Sequence, residues 1–157
     1  MNLHFVCTGN IFRSRLAEAY VASLLFDRKI RDVHISSSGT LAHRNNNGPI
    51  AWYTLRILHN NRLTDFMSPD WQKTTKKDIQ EADFVIYMKQ MHLDHCQVEL
   101  GVKAKNMIIL DVDDVFPSEI LSKFEDRYQG ELEVMKETDR VFEILKTKLD
   151  KFIADIF

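Results

Sequence analysis

Eight residues near the start of the chain constrain it more than any other stretch. They are Cys7-Thr8-Gly9-Asn10-Ile11-Phe12-Arg13-Ser14, set between the apolar run Leu3 to Val6 and a segment with helical periodicity. The apolar run, the tight loop, and then Leu16, Ala17, Ala19, Tyr20, Leu24 and Leu25 at helical spacing read as strand, loop and amphipathic helix. The loop therefore sits at a helix N-terminus, where unpaired backbone N–H groups carry partial positive charge. Five residues separate Cys7 from Arg13, enough for the loop to curl and turn successive N–H groups inward as an anion nest. Arg13 adds a planar fork that holds two phosphate oxygens at once, which Lys cannot do.

The same surroundings act on Cys7. Helix N-termini and neighbouring cations favour the thiolate of a cysteine, and a thiolate beneath a phosphate cradle is placed for in-line attack on phosphorus. The product would be a phosphocysteine that water later hydrolyses. Ser14 is placed to donate a hydrogen bond to the sulfur. Thr8, Gly9, Asn10, Ile11, Phe12, Arg13 and Ser14 are the expected phosphate-binding residues. The plain alternative for Cys7 is a buried core thiol at a strand end. Gly9, Asn10, Arg13 and Ser14 at these offsets weigh against it.

Further along, Val33 to Ser36, Phe84 to Met88 and Met107 to Leu110 read as strands. Pro49 suits the first turn of a helix over Ile50 to His59, a short polar helix closes at Ile79 to Glu81, and Leu132 to Phe157 carries an apolar helical stripe. Four strands alternating with helices predict a four-stranded parallel sheet with helices on both faces and ligand sites at the carboxyl ends of the strands. The 157 residues suit a single domain over 1–157. Net charge is −2 with Lys and Arg scattered, which argues against a nucleic-acid partner. Two cysteines, no signal-peptide pattern and no run of about 18 apolar residues lead to the expectation of a cytoplasmic protein without membrane insertion.

Cys7 to Ser14 followed by Ala17-Glu18 resembles the signature of the low-molecular-weight protein tyrosine phosphatases, whose catalytic loop also lies at the N-terminus. Ser37-Ser38-Gly39-Thr40 is similar to that family's S-A-G-T segment, and Ala82 to Met88 resembles its following strand. The resemblance covers nearly the whole chain. It implies a three-layer, flavodoxin-like α/β fold, Cys7 as nucleophile, Arg13 as phosphate ligand, and no metal or cofactor. The partner it implies is a phosphotyrosine-containing protein, met by a monomer or weak dimer.

Phosphotyrosine leaves as a phenolate whose conjugate acid has a pKa of about 10, so protonating it contributes roughly 100-fold or more. The resemblance points to Asp126 as that acid: Asp126-Arg127-Tyr128-Gln129-Gly130 stands where the family has a D-P-Y-Y-G-like loop, with Arg127 in place of Pro and Gln129 in place of the second Tyr. Asp113 and Asp114, just beyond a strand end, are the rival pair, and a helix cap or solvated loop carboxylate is the plain reading of all three. His43 stands at the position of the family's cleft-wall aromatic, beside Arg44 and Asn45 to Asn47, and Tyr128 is a further cleft candidate. His92, Asp94, His95 and Cys96 have metal-ligand residue types, but a partly exposed helix end accounts for them more simply.

Two other functions compete. Arsenate reduction uses a similar loop but passes a disulfide along further cysteines, and only Cys96 is available beyond Cys7. A catalytically inactive phosphate-binding module would keep Arg13 and the nest without the acid.

Overall fold

The structure is a computed structural model and describes residues 1–46 and 48–157, so Asn47 of the polar loop lies outside the described residues. Four strands form one parallel sheet: β1 (Asn2–Cys7), β2 (His34–Gly39), β3 (Phe84–Tyr87) and β4 (Met107–Ile109), in the order β2-β1-β3-β4. The connecting helices are α1 (Arg13–Asp27), α2 (Trp52–Asn60), α3 (Lys76–Glu81), α4 (Gln90–Val98), α5 (Pro117–Leu121) and α6 (Arg127–Ile156).

Alternation along β1 divides the layers. Leu3, Phe5 and Cys7 face a large apolar cluster with Leu16 and Ala17 of α1, Ile57 and Leu58 of α2, and Val141, Leu145 and Leu149 of α6. Val6 faces the opposite way, into a smaller cluster with Ile79 of α3 and Leu93 and Cys96 of α4. Helices cover both faces, the three-layer flavodoxin-like arrangement expected from the sequence.

The strand order fixes the site. From β1 the chain crosses one way to β2, then returns past β1 to β3, so the loops leaving β1 and β3 diverge at a topological switch point. The Cys7 loop leaves β1 there. Beyond β4 the backbone keeps following β3, because Leu110 N–H donates to the Tyr87 carbonyl (2.9 Å) and Val112 N–H to the Met88 carbonyl (2.9 Å). That extension carries residues 111–115 back toward the β1 loop.

Several boundaries differ from the sequence reading. The second helix starts at Trp52 rather than next to Pro49, because Ala51 N–H is held by the Ile11 carbonyl (3.4 Å) and the Pro49 carbonyl accepts from Arg15 Nη1 (3.2 Å). The last helix begins five residues before Leu132, at Arg127, capped by Asp126. The five-residue α5 was not anticipated; Pro117 occupies its first turn.

Candidate active site

The loop closes over Cys7 as a cradle. Asn10 sits at φ +53°, a left-handed conformation that Asn tolerates better than most residues, and this turns its N–H back onto Cys7 Sγ (3.2 Å). Ser14 Oγ lies 2.9 Å from the same sulfur. The direction of that bond follows from its neighbours. Asn10 Oδ1 accepts from Gln72 N–H (2.7 Å), so the other end of the amide is Nδ2, which donates to Ser14 Oγ and to Ser37 Oγ (2.8 Å each). With its oxygen accepting from Asn10 and sulfur its one other partner among the described residues, the Ser14 hydroxyl directs its proton at sulfur.

Behind the cradle lies a buried polar shell. Ser37 and Ser68 donate to the two carboxylate oxygens of buried Glu18. Arg15, with no exposed surface, donates to the carbonyls of Asn10, Pro49 and Ser68 and so ties three loops together. Burial lowers the pKa of its guanidinium, with the Glu18 charge opposing. The loop is also stitched to β2: Thr40 N–H donates to the Cys7 carbonyl (3.0 Å) and Leu41 N–H to the Thr8 carbonyl (2.9 Å). Gly39 passes so near that an added Cβ would lie 2.6 Å from Thr8 O and 2.7 Å from Asn10 N. His92 holds the other flank. Its Nδ1 accepts from Lys89 N–H (3.1 Å), leaving Nε2 to donate to Thr8 Oγ1 (2.9 Å). Both ring nitrogens are engaged, and burial, helped by the Arg13 charge, pushes the ring's pKa down to about 3.

Above the sulfur is a cavity of about 180 Å³ lined by Cys7, Thr8, Gly9, Ile11, Phe12, Arg13, Asn45, Tyr53, Asp114 and Val115. Among the described residues no side chain caps α1, so its first-turn N–H groups are open to an anion. Arg13 is buried. Its Nη1 donates to the Val112 carbonyl (3.0 Å), its Nη2 pairs with Asp114 Oδ2 (2.5 Å), and its buried Nε–H has no acceptor among the described residues. Tyr53 packs edge-on against Phe12 (centroids 5.3 Å apart), and burial and the Asp114 charge push its phenol up to about 12.

Asp114 is the one carboxylate on the cavity wall. Asp113 points outward and pairs with Lys89 (2.6 Å), which also holds Asp111 (2.6 Å) and so anchors the Asp114 loop from below. Asp126 does not line the cavity. Its Oδ1 accepts from Tyr128 N–H (2.9 Å) at the start of α6, the helix-cap reading, while Asp114 of the rival pair reaches the cavity wall. His43 and Tyr128 do not line it either; both are exposed, and Asn45 and Tyr53 take the wall positions. Asn10 and Ser14 act from behind, on the sulfur, rather than at the wall. Cys96 is buried in the small apolar cluster behind β3, which pushes its thiol up to about 11, and Cys7 is the one thiol at the cavity.

Tyr53, Asn45 and His92 were missed as site residues. The aromatic at the start of a helix that begins soon after the polar loop was the available signal for Tyr53; for Asn45 and His92 spacing carries none.

The sequence model of the family described as low molecular weight phosphotyrosine protein phosphatase matches residues 2–156. The chain is 30% identical over 118 residues to the low molecular weight protein-tyrosine-phosphatase PtpA of Staphylococcus saprophyticus, covering 74% of this chain and 73% of that one. Among solved structures it is similar to a low molecular weight protein tyrosine phosphatase from T. tengcongensis (TM-score 0.76, 21% identity, 99% of each chain). It is similar also to a drosophila arginine phosphatase (TM-score 0.73, 22% identity, 99% of this chain and 98% of that one). At such identities the structures speak for the fold, and the family match speaks for the lineage. The chain belongs to the low molecular weight phosphotyrosine protein phosphatase family.

Proposed function

We propose that this phosphatase hydrolyses phosphotyrosine in proteins through a phosphocysteine, with Cys7 as nucleophile, Arg13 as phosphate ligand and Asp114 as general acid and then base. The carrying observation is the meeting of Cys7, Arg13 and a single carboxylate, Asp114, on one cavity of about 180 Å³. A phosphate dianion entering it takes the Nε and Nη2 edge of Arg13, supplying the acceptor that buried Nε–H lacks and releasing Asp114 from its ion pair. Released from the guanidinium, Asp114 takes up a proton from solvent, and as Cys7 sulfur attacks phosphorus and the bond to the tyrosyl oxygen breaks it passes that proton to the leaving oxygen. Water then attacks the phosphocysteine, Asp114 takes its proton, and inorganic phosphate leaves as the thiolate re-forms with the Ser14 hydroxyl bonded to it.

The apolar walls Ile11, Phe12, Tyr53 and Val115 favour a phenyl ring over the cationic leaving group of phosphoarginine. With one thiol at the cavity there is no relay for arsenate reduction, and Asp114 supplies the acid an inactive module would lack. All groups come from one chain, in keeping with a single domain over 1–157 acting as a monomer or weak dimer. A reduced sulfur suits the cytoplasm, and no helix is long and apolar enough to cross a membrane among the described residues.

The test is turnover of a phosphotyrosine peptide, a phosphoarginine peptide and para-nitrophenyl phosphate by the wild type and Cys7→Ser. The tyrosine peptide should be hydrolysed at least about 100-fold faster than the arginine peptide, and Cys7→Ser should be inert on all three. Faster release from the arginine peptide would reverse the substrate assignment, and activity in Cys7→Ser would remove the covalent mechanism.

A further inference from the structure

Tyr53 lines two depressions. Besides the phosphate cavity it borders a groove of about 610 Å³, lined also by Ile50, Trp52, Leu55, Pro117 and Leu121, with no charged side chain on its walls. One wall is α2, where Trp52 and Leu55 lie one turn apart and remain 48% and 42% exposed. The other is α5, whose Pro117 and Leu121 face the groove and which follows directly on Asp114, Val115 and Phe116. Large apolar side chains gathered in the open beside a reaction site mark a surface that something covers.

Both walls continue from residues of the cavity, α2 from Tyr53 and α5 from Asp114 and Val115. The Thr54 hydroxyl (2.7 Å) and Ala51 N–H (3.4 Å) donate to the Ile11 carbonyl, which locks α2 to the phosphate loop. The remaining surroundings of the cavity carry charge. Asp114 and Val115 border a second depression, of about 400 Å³, in which Glu119, Lys123, Glu133 and Glu137 stand among Phe116, Ile120 and Phe124, and the 43–45 segment brings His43, Arg44 and Asn45. A substrate whose phosphotyrosine enters the cavity must lay its neighbouring residues across one of these surfaces, and only an uncharged occupant gains on the first, where burying a charge would cost more than it returned.

We propose that the Trp52–Leu55–Pro117–Leu121 groove is a specificity subsite that takes a large aliphatic or aromatic side chain flanking the phosphotyrosine. The substrates are then phosphotyrosine sites with an apolar neighbour. The inference rests on the phosphatase reading of the adjoining cavity.

Matched phosphotyrosine peptides with Leu, Phe, Ser, Asp or Lys at each flanking position test it, as kcat/KM ratios within each enzyme and as binding to Cys7→Ser by calorimetry. Para-nitrophenyl phosphate turnover runs alongside. The Leu and Phe peptides should exceed the Asp peptide by about tenfold in kcat/KM, mostly through KM. Leu55→Lys should bring the ratio close to one, and Leu55→Ala should lower it to about threefold. A flat series, a preference for Asp, or a ratio unmoved by both variants would overturn the proposal. So would a dimer in sedimentation that Leu55→Lys dissolves without altering the peptide ratio, since the groove would then hold a second copy. If para-nitrophenyl phosphate is not turned over, the phosphatase reading is what has failed, and the calorimetric series on Cys7→Ser still decides the groove.

Discussion

On the proposed mechanism Asp114 and a bound phosphate compete for one guanidinium. In the free protein Asp114 Oδ2 lies 2.5 Å from Arg13 Nη2, so substrate entry must exchange one anionic partner for another. Asp114→Asn should therefore split the kinetic constants: kcat on an aryl phosphate falls by about 100-fold as leaving-group protonation is lost, while inorganic phosphate binds more tightly because its competitor is gone. Steady-state kinetics with phosphate as inhibitor reads both. Asp126→Asn should keep kcat within about twofold, since that carboxylate is occupied at the α6 N-terminus; a loss confined to Asp126→Asn would return the acid to the position the sequence resemblance favoured. Arg13→Lys keeps the charge but not the fork, and should raise the KM for aryl phosphates and lower kcat together.

Between elements, close approach matters more than propensity. Gly39 ends β2 against the backbone of the phosphate loop, where a methyl group would meet Thr8 O at 2.6 Å and Gly9 C at 2.8 Å. Those neighbours are main-chain atoms held by the Cys7–Thr40 and Thr8–Leu41 hydrogen bonds and cannot swing aside. Gly39→Ala should cost about 1–3 kcal/mol by overpacking and displace the cradle, so activity should fall further than stability does; urea melts and aryl phosphate turnover on one preparation compare the two. At α6 the cap works in the opposite sense. Asp126→Ala should cost about 1 kcal/mol with turnover nearly unchanged.

Over the whole molecule, two buried histidines contribute to the acid side of the stability curve. Burial pushes His4 down to about 4, where its ring nitrogens bond Ser36 and Ser38 (2.8 and 2.7 Å), and pushes His92 down to about 3. An unfolded histidine titrates near 6.5. Both rings thus bind fewer protons folded than unfolded, and the stability this confers is complete above about pH 6.5 and is lost as pH falls to about 4 for His4 and about 3 for His92. Each should add up to about 1.4 kcal/mol per pH unit to that slope. Urea unfolding between pH 7 and 5 measures it, and His4→Gln should remove about half. A slope unchanged in that variant would mean His4 titrates normally in the folded protein.

The chain itself determined everything that depends on near neighbours. The cradle is one continuous segment: Cys7, the turn at Asn10, Arg13 and Ser14 are joined by the backbone that shapes them, so strand, loop and helix could be read in a row, and the alternation of strands and helices then led to the parallel three-layer sheet. The choice among carboxylates was beyond that reading, which offered Asp114 only as one of a rival pair beside Asp126. Asp114 lies 107 residues from Cys7 in sequence, and it reaches the cavity because β3 separates β4 from β1 in the sheet, because Leu110 and Val112 extend the β3 pairing, and because Lys89 pins the loop. Tyr53 and Asn45 arrived the same way, through hydrogen bonds from α2 and the polar loop to the distant carbonyls of Ile11 and Gly9, and His92 through its ring's bond to the Thr8 hydroxyl. Local spacing carries no trace of such contacts, since they arise only when separate elements dock and their unpaired backbone groups find partners.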